Sequence, residues 1–116
     1  MNYSQKELLE KISASSDLKL IQNYFSEVLN LRGFSQDRPQ DKILLLTEEI
    51  GELAKAVRKS STSMTIDYAK IQNYDTVESE IADVFIVLIS LCNVFGISLY
   101  DALIEKEKTN TKREWK

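Results

Sequence analysis

The chain has 116 residues, 43% hydrophobic and 28% charged, with a net charge of −3. That size favours a single domain over residues 1–116, and the charge lacks the basic field that generic nucleic-acid binding needs. There is no histidine, which excludes Ser-His-Asp and Cys-His catalysis and argues against Glu-x-x-His di-iron bundles and ordinary zinc enzymes.

The N-terminus, MNYSQKELLEK, is charged and has no apolar core of the signal-peptide kind. Ser4 and Glu7 are spaced as a capping box for a short helix over Gln5–Ser13. Ser16 is the expected cap of a second helix, about Asp17–Arg32, with Leu18, Ile21, Phe25, Val28 and Leu29 at helical spacing and Gly33 ending it. After a turn over Phe34–Pro39, a long helix is predicted from about Gln40 to Lys59. Ser60–Tyr74 is polar and reads as a loop. Thr76 lies in a second capping-box-like start, and a helix follows to about Phe95, where Gly96 ends it. Ser98 caps a last helix, about Leu99–Asn110, before a basic tail.

No segment alternates as a strand does, so the predicted class is all-α, a bundle of four to five helices. The longest apolar run, Val84–Ile89, is far short of the roughly 20 residues that span a bilayer, so no membrane partner is expected. The one cysteine, Cys92, cannot form a disulfide within the chain. Set in an apolar run, it reads as a small buried hydrophobe and fits a reducing cytoplasm.

Two helices carry carboxylates beside apolar stripes. On the third, Ile43, Leu46, Ile50, Leu53, Ala54 and Val57 share one bearing at 100° per residue. Glu49 and Glu52 fall on a second face with Leu45 and Ala56, while Glu48 falls with Lys55, Arg58 and Lys59. On the fourth, Glu80 and Asp83 stand in line with Val84, Val87 and Leu91, on a helix apolar nearly all round and therefore expected at the centre. Each acidic pair is i, i+3, close enough to share an ion. If the two helices pack antiparallel, four carboxylates converge, and their repulsion needs a compensating charge. With no histidine, that charge is an oxygen-bound Mg²⁺ or Mn²⁺. Acidic pairs of this spacing also occur on solvated helix faces, and spacing alone leaves both readings open.

Glu48-Glu49-Ile50-Gly51-Glu52 followed by Glu80-Ile81-Ala82-Asp83 resembles the E-E-x-x-E … E-x-x-D signature of MazG-like all-α nucleoside triphosphate pyrophosphohydrolases. The C-terminal Lys106, Asn110, Arg113 and Trp115 resemble the K-x-x-x-N-x-x-R-x-W close of many members. The resemblance covers about Asp17 to Trp115 and implies Mg²⁺-dependent hydrolysis of a (deoxy)nucleoside triphosphate to monophosphate and pyrophosphate. It implies Glu49, Glu52, Glu80 and Asp83 as metal ligands. Glu48 would be a water-positioning residue or the base for the attacking water, with Glu48 and Glu49 at the catalytic centre. Lys106, Asn110 and Arg113 would approach the triphosphate, where negative charge builds on the leaving pyrophosphate. It also implies a homodimer or homotetramer, and the two-sided third helix and all-apolar fourth need such an interface. Phe34, Tyr68, Tyr74 and Trp115 are the aromatic candidates for stacking on a base. The alternative is a non-catalytic helical oligomerisation or adaptor protein that keeps the fold. A metal buffer is a third reading, but it leaves Lys106 and Arg113 unexplained, since basic groups repel cations and attract phosphates.

Overall fold

A computed structural model describes residues 3–13, 17–34, 37–61 and 76–114. Among these residues it contains five α-helices and no strand: α1 Gln5–Ser13, α2 Leu18–Leu31, α3 Pro39–Ser61, α4 Val77–Phe95 and α5 Leu99–Asn110. The expected loop residues 62–74, with Tyr68 and Tyr74, lie outside the described residues, as do Ser16 and Trp115. No single helix among the described residues is long and apolar enough to cross a membrane.

The helix ends follow local chemistry. Glu7 N–H donates to Ser4 Oγ at 3.2 Å and Ser4 N–H to Glu7 Oε1 at 3.4 Å, the reciprocal capping box. The cap of α2 is Asp17, whose carboxylate accepts from Leu20 N–H at 3.1 Å. Gly33 and Gly96 both have positive φ. Each closes its helix with two bonds, Gly33 N–H to Asn30 O and Phe34 N–H to Leu29 O, then Gly96 N–H to Asn93 O and Ile97 N–H to Cys92 O. These are Schellman ends, and the left-handed residue they need is easiest for glycine. Thr76 caps α4 and Ser98 caps α5 through their side chains. At the head of α3, Pro39 sits at the first helical position, and the Asp41 carboxylate accepts from both Arg38 N–H and its guanidinium.

Packing has two centres. Leu8 of α1 meets Tyr24 and Val28 of α2 in a small apolar cluster, flanked by Tyr3, Phe25 and Leu29. The larger seam joins α3 to α4, and α2 also packs on α4. α3 and α4 run antiparallel: Glu49 meets Glu80 and Asp83, while Lys42, two turns earlier, shares a crevice with Ser90 and Asn93.

The side of α3 turned inward differs from the expected apolar stripe. Lys42, Leu45, Leu46, Glu49, Leu53 and Ala56 are buried or half-buried, whereas Ile43, Ile50 and Val57 are 42–51% exposed. The outward stripe lies about 100° round the helix from Glu49. On α4, Ile81, Phe85 and Leu88 lie on a matching bearing from Glu80 and are also exposed. In an antiparallel pair, equal angular offsets from the seam point to the same side. The two stripes therefore form one bare apolar face, opposite the side where α2 packs. The expectation that α4 is buried all round is met on one side only. Cys92 is half-buried on α4, and desolvation pushes its thiol pKa up.

Candidate functional site

The α3–α4 seam brings three carboxylates together. One oxygen from each of Glu49, Glu80 and Asp83 lies within 4.8 Å of the other two. Glu80 is buried, and Glu49 and Asp83 are half-buried. Glu80 and Asp83 are one helical turn apart, so both point into the seam, and the antiparallel register sets Glu49 against them. Three carboxylates this close repel one another when charged. The donors are all hard oxygens, and their spacing lets one cation of the Mg²⁺, Mn²⁺ or Ca²⁺ kind touch all three after small side-chain shifts. The residues fit such an ion.

The expected convergence of four carboxylates is met by three. Glu52 stands outside the cluster, half exposed, with Oε1 3.5 Å from Lys55 Nζ. The reason is angular: an i+3 step falls about 60° short of a full turn, so with Glu49 at the centre of the seam Glu52 emerges at its edge. Glu48 is solvent-exposed, about 100° round α3 from Glu49.

The basic end of α5 is not brought to the acids within one protomer. α5 leaves α4 at a bend of 96° and packs on α2. Thirteen residues separate Asp83 from Gly96, about 20 Å along α4, and a right-angled exit does not return that distance. Lys106 and Arg113 are exposed, while Asn110 is half-buried and donates from Nδ2 to Glu107 Oε1 at 3.0 Å.

A second feature was not read from the sequence. Lys42 is a buried cation, its Nζ 2.9 Å from Asp37 Oδ2 and 5.8 Å from the Phe34 ring centroid. It borders a crevice of about 400 Å³ whose lining includes Phe25, Asn30, Phe34, Ser90 and Asn93. The signal for it was the seven-residue interval between Lys42 and Glu49, which puts both on one side of α3.

Residues 38–114 match the MazG nucleotide pyrophosphohydrolase domain. A crystal structure of YPJD from Bacillus subtilis, a proposed pyrophosphatase, superposes with a TM-score of 0.71 at 27% identity, covering 86% of this chain and 98% of that one. No curated protein sequence matches this chain. The chain belongs to the MazG nucleotide pyrophosphohydrolase family and, with it, to the hydrolases that act on pyrophosphate bonds.

Proposed function

We propose that this protein hydrolyses (deoxy)nucleoside triphosphates between the α- and β-phosphates, releasing monophosphate and pyrophosphate, as a cytoplasmic house-cleaning enzyme built from one domain over residues 1–116. The observation that carries the reading is the meeting of Glu49, Glu80 and Asp83 in the seam of a MazG fold.

In this reading Glu49, Glu80 and Asp83 hold Mg²⁺, with Mn²⁺ as a substitute, and Glu52 joins by turning from Lys55 to the ion. Bound there, the cation would neutralise phosphate charge and acidify a water. Through the ion it would hold, Glu49 would also fix the α-phosphate end of the substrate. Glu48, on the solvent side, accepts the proton of the attacking water. The base and sugar extend along the seam into the crevice beside Phe34. Glu49 and Lys42 are seven residues, about 10 Å, apart, comparable to the reach of a nucleoside beyond its α-phosphate. No covalent nucleophile is required.

Lys106, Asn110 and Arg113 then reach the phosphates from a second copy of the chain, because their own α5 carries them away from their own cluster. The bare face of Ile43, Ile50, Val57, Ile81, Phe85 and Leu88 supports a homodimer or homotetramer. The shape supports it too: the radius of gyration is 17.3 Å, against about 13–14 Å for a compact chain of this length. Closing the face would bury the exposed half of six large side chains, worth roughly 1 kcal/mol each.

The direct test is pyrophosphate release from a panel of NTPs and dNTPs, with Mg²⁺ or EDTA, for wild type, Glu49→Ala and Glu80→Ala. Metal-dependent release lost in both variants supports the reading. A folded protein with no turnover on any nucleotide would sink it and favour the adaptor.

A further inference from the structure

One side chain of α2 bridges the joint between α4 and α5. The Gln22 carboxamide spans the break between α4 and α5. Its Nε2 donates to Asn93 Oδ1 at 2.9 Å, in the last turn of α4, and to Ile97 O at 2.7 Å, in the link. Its Oε1 accepts from Leu99 N–H at 2.9 Å, the first residue of α5. Asn93 Nδ2 returns a bond to Gln22 O at 3.4 Å. One amide thus binds both arms of the elbow and the joint between them.

The other described contacts near the start of α5 lie at the surface, Lys19 Nζ standing 5.4 Å from the Tyr100 ring. α5 has no buried residue of its own. The Lys19–Asp101 ion pair at its start, 3.3 Å long, has both side chains well exposed, where such pairs contribute little. The lever is long. Asn110 at the end of α5 stands 11 residues beyond Leu99, about 16 Å, so a tilt of about 10° displaces it by about 3 Å, more than a hydrogen bond tolerates.

The geometry points to Gln22 as a positioning residue that sets the elbow angle and thereby the placement of Lys106, Asn110 and Arg113 against the phosphates. This rests on the hydrolase reading above, in which those groups serve a neighbouring copy. Gln22 itself touches no reacting atom.

The test compares wild type with Gln22→Met, which keeps the side-chain volume without the amide, and Gln22→Glu, which keeps only the acceptor for Leu99. Leu99→Pro removes that N–H at a first helical position, where proline is tolerated, after a Ser98 that is already extended. Backbone residual dipolar couplings report the angle between α4 and α5. Pyrophosphate release from an equimolar dNTP mixture reports kcat/KM, and Mn²⁺ titration reports the acidic cluster. The expected result for Gln22→Met is a rotated α5 and a fall in kcat/KM on the order of 100-fold, the scale of a misplaced group, with Mn²⁺ affinity unchanged. Gln22→Glu and Leu99→Pro fall between it and wild type. Unchanged couplings, or a rotated α5 with undiminished kcat/KM, would overturn the proposal. If Gln22→Met does not fold, Leu99→Pro decides by the same criteria. Failure of the hydrolase reading shows separately, as a wild type that releases no pyrophosphate, and ends this role with it.

Discussion

Glu49 on α3 and Glu80 on α4 place carboxylate oxygens within 4.8 Å of each other, and Asp83 closes the triangle. The two glutamates come from opposite sides of a helix seam, so folding itself forces their charges together. In the proposed reading, a cation bound there ties stability to metal.

Neutralising Glu80 should relieve that repulsion. In EDTA, Glu80→Gln is expected to melt at or above the wild-type temperature. In Mg²⁺ at about 100 times its Kd, wild type should gain about 2.7 kcal/mol and the variant little or nothing. Differential scanning calorimetry at both conditions checks this, and a metal-stabilised variant would contradict it.

Glu49→Ala and Asp83→Ala should each lower kcat/KM by at least about 100-fold, because each removes a ligand of the cation that would neutralise the phosphates. Glu52→Gln should cost less, on the order of 10-fold, because Glu52 reaches the ion only by leaving Lys55 and Gln keeps one oxygen to offer it. Steady-state kinetics at saturating Mg²⁺ give the ranking, and equal losses at Glu52 and Glu49 would place Glu52 in the cluster.

Site sharing between copies has a direct signature. Glu49→Ala and Arg113→Ala homodimers should each be inactive, yet mixing them should restore activity, up to about a quarter of wild type for random dimer exchange with one intact site per mixed dimer. Ile50→Glu, on the bare apolar face, should give a monomer in light scattering and lose activity. Full activity in that monomer would place the basic groups within one chain.

Phe34 borders the crevice two turns along α3 from the acids. Phe34→Ala is expected to raise KM on the order of tenfold with kcat nearly unchanged, the effect of losing a base-stacking contact of about 1–3 kcal/mol. An unchanged KM across the whole nucleotide panel would move the base elsewhere.

The head of α3 predicts a pH response. The Arg38 guanidinium, then Arg38 N–H, hold the Asp41 carboxyl below its ordinary range, and the same contact raises the Arg38 pKa. A lowered carboxylate pKa contributes stability above the unfolded value and loses it as pH falls through the folded one. Asp41→Asn should therefore melt lower than wild type at pH 7, and the difference should shrink as pH drops below about 4. A difference that is constant from pH 7 to pH 3 would rule out the ion pair as its source.

The helices were legible because their signals are local. Ser4 with Glu7, Ser98, Gly33 and Gly96 each act within one turn of the backbone they satisfy, and all four helix ends stand where spacing placed them. The cap of α2 moved from Ser16 to Asp17, a one-residue choice between two good caps that depends on where the chain enters the helix. The acidic motif was legible as two pairs at i, i+3.

Which carboxylates meet was not. That depends on the rotation of α3 about its axis, which only packing against α4 sets, and a rotation centred on Glu49 leaves Glu52 at the rim beside Lys55. The same rotation turns Ile43, Ile50 and Val57 outward and brings Lys42 into the seam.

By itself the sequence determined an all-α chain of four to five helices, most of their ends, an oxygen-only donor set and the absence of imidazole chemistry, because composition and i to i+4 contacts decide these. The tertiary structure decided the antiparallel register that gathers Glu49, Glu80 and Asp83, the bare face beside them, and the right-angled exit that carries Arg113 away. Those depend on contacts between residues tens of positions apart, such as Gln22 with Asn93 and Leu99, which helical periodicity does not encode.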